Sequence, residues 1–142
     1  ITINQYKKSF NINVYSNKII LDYLIKNVEV KNIIAISTGA SFNPYYGWSL
    51  YCTSKASFRQ MISIYALENS NIKFINLAPG IIKTKMQTYI KSLDSLKYPS
   101  LSKFHSLYEE MDSPKVVAKR IFNNLDFITN QESGSYIDLR KI

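Results

Sequence analysis

A phenol and an ammonium four residues apart, Tyr51 and Lys55, are the first pair in this sequence whose types could carry a reaction. On a helix, positions i and i+4 share a face. An ammonium near the phenol favours the tyrosinate and lowers the tyrosine pKa from its ordinary value of about 10. A tyrosine so placed gives a proton to a carbonyl, or takes one from an alcohol, near neutral pH. The spacing alone decides little, because with 11 tyrosines and 18 Lys and Arg residues about one such pair falls by chance. A second polar pair, Ser37-Thr38, lies upstream at the end of a β-branched run. Adjacent strand residues face opposite ways, so one of these two hydroxyls can point toward a shared site.

Other chemistries find less support. His105 is the one histidine, and no Gly-x-Ser-x-Gly elbow accompanies it. One cysteine, Cys52, and one histidine offer no paired metal-ligand spacing. A lone cysteine forms no internal disulfide, which fits a reducing compartment and a cytoplasmic location. The formal charge is +8, yet the lysines are scattered, at Lys7, Lys8, Lys26, Lys83, Lys97 and beyond. No run of five like charges occurs, so we expect a solvated basic surface and no nucleic-acid partner. The basic field helps attract a phosphate-bearing cofactor. No apolar run nears the roughly 18 residues of a membrane span, and no membrane partner is expected. Neither a signal nor a transit peptide is visible. The first residue is Ile1 and the opening residues read as helix, so a chain cut from something longer is the expectation.

The elements that must position Tyr51 and Thr38 alternate between strand and helix. Residues 3–27 read as a helix, with Phe10, Val14, Ile20, Leu21, Leu24 and Ile25 forming an apolar stripe. Residues 31–37 read as a strand buried on both faces. Residues 49–68 read as helix again, with Ala56, Met61, Ile64 and Leu67 near one face. A second buried strand spans 71–78 and stops at Pro79-Gly80. Residues 84–111 read as helical pieces broken near Pro99. Ser113-Pro114 then starts a helix that runs to about residue 128, and a last strand covers 135–139. This alternation predicts an α/β fold with a parallel sheet covered on its faces by helices. Such sheets place their chemistry beyond the C-terminal strand ends, where the loops 38–48 and 79–86 lie.

Read from Ser37 to Ala56, Ser-Thr-Gly-Ala-Ser-Phe-Asn-Pro-Tyr-Tyr-Gly-Trp-Ser-Leu-Tyr-Cys-Thr-Ser-Lys-Ala resembles the short-chain dehydrogenase/reductase family. Ala66-Leu67-Glu68, Ala78-Pro79-Gly80, Thr84-x-Met86-Gln87, Ser133-Gly134 and Ile137-Asp138 continue the likeness. Within the family, the segment around Gly47-Trp48-x-Leu50-Tyr51 is similar to the sepiapterin-reductase and benzil-reductase branches. The resemblance implies one partial domain over residues 1–142. That domain is the catalytic, C-terminal half of a doubly wound, Rossmann-like sheet, with the nucleotide-binding half absent. No Gly-rich dinucleotide turn is present, and the chain has only four glycines.

The resemblance also implies roles. Tyr51 is the proton donor, Lys55 holds the cofactor ribose and tunes Tyr51, and Asn13 supports a water leading to Lys55. Thr38 polarises the carbonyl, with Ser37 left open as the alternative. Pro79, Gly80, Ile82, Thr84, Met86 and Gln87 meet the cofactor together with Tyr51 and Lys55. Gly39, Trp48, Gly80 and Asp138 join Thr38 and Tyr51 around the substrate, Asp138 as the anchor of a polar one. The implied activity is NAD(P)-dependent reduction of a ketone or diketone, with NADP(H) expected in preference to NAD(H). Helices 3–27 and 49–68 are implied to pack against a second copy, giving a homo-oligomer. The alternative from a different class is a non-enzymatic fragment, or half of a split protein that acts by association.

Overall fold

The computed structural model describes residues 1–142. Its sheet has three parallel strands in the order β1 (Asn32–Ile36), β2 (Lys73–Ala78) and β3 (Tyr136–Asp138). The register pairs Ile33 with Phe74, Ile36 with Leu77 and Ala78 with Asp138. β2 lies in the middle, and its residues from Phe74 to Ala78 are all buried. Side-chain alternation then sends Phe74 to one face and Ile75 and Leu77 to the other.

Helices cover both faces, which is the doubly wound arrangement. On one side Leu21, Phe58 and Ile62 pack on Ala35, Ile72 and Phe74. These come from α2 (Ser16–Asn27) and α3 (Ser49–Glu68). On the other side Val117 and Ile128 pack on Ile75, Leu77, Ile137 and Leu139. These helices are α6 (Pro114–Asn123) and α7 (Leu125–Thr129). Each fully buried Phe or Ile in these layers contributes on the order of 1.5–3 kcal/mol. No helix is long and apolar enough to cross a membrane.

The N-terminal helix is continuous but not uniform. Thr2 and Gln5 form a reciprocal capping box that starts α1 (Ile3–Phe10). Residues Asn11–Tyr15 then form a π-helical segment before α2, closed by the Ser16 N–H donating to the Asn11 carbonyl. Ser16 Oγ donates to the Ile12 carbonyl at 2.6 Å, and Asn17 Nδ2 donates to the Asn13 carbonyl at 3.1 Å. Such side-chain bonds compete with the regular ladder and accompany its widening.

Four expectations need correction. β1 is an edge strand, as the absent half of the sheet implies, but it is not buried on both faces: Ala35 is buried, whereas Ile36 is 51% exposed. α3 has the expected bounds but buries Ser54, Phe58 and Ile62, while Leu67 is 87% exposed. The face is set by which residues meet Phe74 and Ala35, and periodicity alone does not choose it. Ile20 likewise lies outside the buried stripe of α2, whose fully buried residue is Leu21. The helix capped by Ser113 ends at Asn123, and Asn124 interrupts it before α7. The Asn124 side chain donates to the Arg120 carbonyl at 2.8 Å, satisfying an end group of α6. The region 84–111 is broken as expected, into α4 (Lys85–Lys91), α5 (Ser102–Leu107) and short 3-10 turns.

Candidate active site

Thr38 follows β1 and opens a 3-10 turn, Gly39–Ser41. Its hydroxyl accepts from the Ala40 N–H at 3.3 Å, and its carbonyl accepts from Ser41 Oγ at 2.7 Å. Ser37 is buried, and its N–H extends the ladder to the Leu77 carbonyl at 2.7 Å. Thr38 lines a cavity of about 730 Å³, and Ser37 does not. The opposite facing of adjacent strand residues thus gives the cavity one hydroxyl of the two.

Tyr51 sits in the first turn of α3 and lines the same cavity. Thr38 lies on the wall of that cavity too. Burial raises the Tyr51 pKa, and the polar Thr38 side chain pulls the other way. This corrects the expectation that Lys55 lowers it. Lys55 is off the cavity wall, with its ammonium 5.6 Å from the centre of the Phe58 ring. A flexible four-carbon stem lets the ammonium settle on that ring's negative face. Burial lowers the Lys55 pKa, since the charged form loses solvation.

Aromatic rings build the adjoining wall. Trp48 stacks on Phe104 with centroids 4.9 Å apart and planes 18° from parallel. Tyr51 meets Trp48 edge-on at 5.9 Å, and Tyr45 meets Phe104 at 5.9 Å. Ile90, Leu101 and Phe104 form a small core under Tyr45, Trp48 and Tyr98. This cluster fixes α4 and α5 over the strand ends.

The loop after β2 closes the other side. Gly80 has φ +92°, a region that L side chains rarely adopt, and a Cβ there would lie 3.0 Å from Arg140 Cδ. Gly80, Ile82, Thr84, Met86 and Gln87 all line the cavity, as Gly39 does. Pro79 instead borders a smaller depression beside Met111 and Asp112. The Lys83 N–H donates to the Asp112 carbonyl at 2.9 Å and pins the loop. Gln87 Oε1 is buried without a hydrogen-bond partner. An unpartnered acceptor on a cavity wall suits an amide N–H, such as the carboxamide of a nicotinamide. The residues present therefore fit that end of a dinucleotide.

Two further expectations change. Asp138 does not line the cavity. Arg140 occupies its carboxylate, donating from Nε to Oδ1 at 2.8 Å and from Nη2 to Oδ2 at 2.5 Å. That pairing holds the Asp138 pKa below its ordinary value. Asn13 is also remote from the cavity. Its Nδ2 donates to Ser54 Oγ at 3.0 Å, and Ser54 Oγ donates to the Tyr51 carbonyl at 3.0 Å. Asn13 thus braces the turn that carries Tyr51 and Lys55 through Ser54.

Arg140 and the wall residues Tyr45, Tyr98 and Phe104 were not expected from sequence. A charged residue near the C-terminus reads as surface. The rings lie far apart in the chain, so only packing brings them together. The frequency of aromatic residues between Tyr98 and Tyr108 was the one signal available.

The sequence model of the family described as short chain dehydrogenase matches residues 1–94. The chain belongs to the short-chain dehydrogenase family. A family relative, the benzil reductase ((S)-benzoin forming) of Bacillus cereus, is 34% identical over 132 residues, covering 86% of this chain and 53% of that protein. Rat (Rattus norvegicus) sepiapterin reductase is 30% identical over 114 residues, covering 79% of this chain and 43% of that protein. A solved short-chain dehydrogenase/reductase from Saccharomyces cerevisiae superposes with a TM-score of 0.81 at 24% identity, covering 98% of this chain and 58% of that one. The chain spans about half the length of the curated relatives it matches.

Proposed function

We propose that the protein carrying this chain reduces a ketone or diketone, with a nicotinamide cofactor as the source of reducing equivalents. The observation that carries this reading is that Tyr51 and Thr38 both line one aromatic-walled cavity at the end of β1. Two hydroxyls side by side can both donate to one carbonyl oxygen and hold it against the wall. Tyr51 transfers its proton to that oxygen as the carbon is reduced. The raised Tyr51 pKa keeps the phenol protonated at neutral pH, which suits the direction of reduction. The reduced nicotinamide, when bound, supplies the hydride, so one hydride and one proton convert the ketone to a secondary alcohol. Gln87, Ile82 and Thr84 would hold the nicotinamide, and Lys55 the ribose. The relatives named as benzil and sepiapterin reductases support a carbonyl substrate, and the basic charge supports NADP(H) over NAD(H).

The assay is NADPH-dependent reduction of benzil by the complete natural polypeptide. Tyr51→Phe is expected to lower kcat by about 100-fold or more, the usual loss on removing a general acid. Retention of most of the turnover in Tyr51→Phe refutes the assignment.

A further inference from the structure

Two cations and no carboxylate line the cavity that holds Thr38 and Tyr51. Lys103, in α5, is exposed at its rim. Arg140 follows β3 and stands directly over Gly80. We propose that this cavity takes a ketone bearing both an aromatic ring and a carboxylate, and that the Arg140 guanidinium binds the carboxylate. The proposal rests on the reading of Tyr51 and Thr38 as the carbonyl-reducing pair, and it names the substrate class of that site.

Arg140 is built for the task. The guanidinium has five N–H donors, and Asp138 takes two of them, one from Nε and one from Nη2. Three remain, and two of them, one on Nη1 and the second on Nη2, form the end-on fork that suits a second carboxylate. Arg140 makes its side-chain hydrogen bonds to Asp138 alone. The Asp138 side chain is only 12% exposed while that of Arg140 is 55% exposed. The pair therefore presents its cationic half outward. The Arg140 N–H also donates to Asp138 Oδ1 at 3.1 Å, so main chain and side chain are tied to one anchor. A fork held this way has less rotamer freedom to lose on binding. Glu110 and Asp112 border the smaller depression on the far side of Arg140. Asp112 is engaged there by Arg120 at 2.7 Å. The aromatic half of the ligand is matched by Trp48, Tyr45 and Phe104, whose faces and edges suit a flat ring.

The probes are phenylglyoxylate, which joins a phenyl ring, a ketone and a carboxylate, and its neutral methyl ester. Trp48 is the one tryptophan and lies in the cavity wall, so its fluorescence reports occupancy without a cofactor. Phenylglyoxylate is expected to bind this chain about ten-fold or more tighter than the ester. Arg140→Gln should bring the acid down to the ester's Kd and leave the ester unchanged. Lys97→Gln, a charge change outside the cavity, should preserve the preference. Equal Kd values for acid and ester in the wild-type chain overturn the proposal, whatever the variant's folding. A preference that survives Arg140→Gln also overturns it. Should the acid preference hold while the complete polypeptide reduces neither probe nor benzil, the carboxylate site stands and the carbonyl-reduction reading falls.

Discussion

Adding one methyl group at Gly80 tests the site's construction more directly than removing any of its functional groups. Gly80 has φ +92°, and an added Cβ would lie 3.0 Å from Arg140 Cδ and 3.2 Å from its Cγ. Backbone strain of this kind costs about 1–3 kcal/mol for a residue other than glycine. The contact adds to it, because Arg140 can yield only by loosening its fork on Asp138. Gly39 provides the control within the same cavity. It lacks a positive φ, and its Cβ would meet nothing nearer than Asn43 Nδ2 at 3.9 Å. There the same substitution restricts the unfolded chain and is expected to be neutral or to stabilise by up to about 1 kcal/mol. Urea unfolding followed by Trp48 fluorescence measures both. Gly80→Ala should unfold about 1–3 kcal/mol more easily than the wild type, with m unchanged. A Gly80→Ala loss below about 0.5 kcal/mol, or an equal loss in Gly39→Ala, refutes the reasoning.

Asp138 gives a pH signature. Arg140 holds its pKa below the ordinary 3.8, so the pair's contribution to stability is complete above that value and is lost as pH falls through the lowered pKa. Asp138→Asn should therefore flatten the acid limb of the stability profile in urea titrations below pH 4. An unchanged acid limb would show that the pair contributes nothing there. Exposed apolar residues on the N-terminal helix and α3, among them Ile19 at 70% and Leu67 at 87%, fit the implied contact with a second copy. Ile19→Lys combined with Leu67→Lys should shift the complete polypeptide toward monomer in sedimentation velocity, and unaltered assembly in that variant places the contact elsewhere.

The sheet was legible because β2 is a short, largely apolar run, too short for a helix of ordinary length, and ended by Pro79-Gly80. That Tyr51 and Thr38 share one cavity wall was legible from the strand-to-helix spacing between them. Burial direction was harder. Leu67 belongs to the apolar period of α3 by sequence, yet the neighbours Ala35 and Phe74 reward Phe58 and Ile62 instead. Arg140 was invisible for a different reason. Its meaning depends on Asp138 being sheltered and on Gly80 being close, and both facts belong to the tertiary structure. The state of Lys55 is not legible, because helical spacing places the Cα atoms while a long side chain still chooses between Tyr51 and the Phe58 ring.

The π-helical segment Asn11–Tyr15 bears on how this chain could change over generations. Such a segment is equivalent to one residue inserted into an α-helix, and it turns everything beyond it by about 100°. Because of that turn, Asn13 meets Ser54 while Leu21 still faces Phe58 and Phe74. Substitutions along the helix alter one contact at a time. A single deletion between Asn11 and Tyr15 would instead rotate one half of the helix against the other, exchanging either the brace on the Tyr51 turn or the core contact in one step. In this stretch, a change in chain length would disturb more of the packing than a change in most single residues.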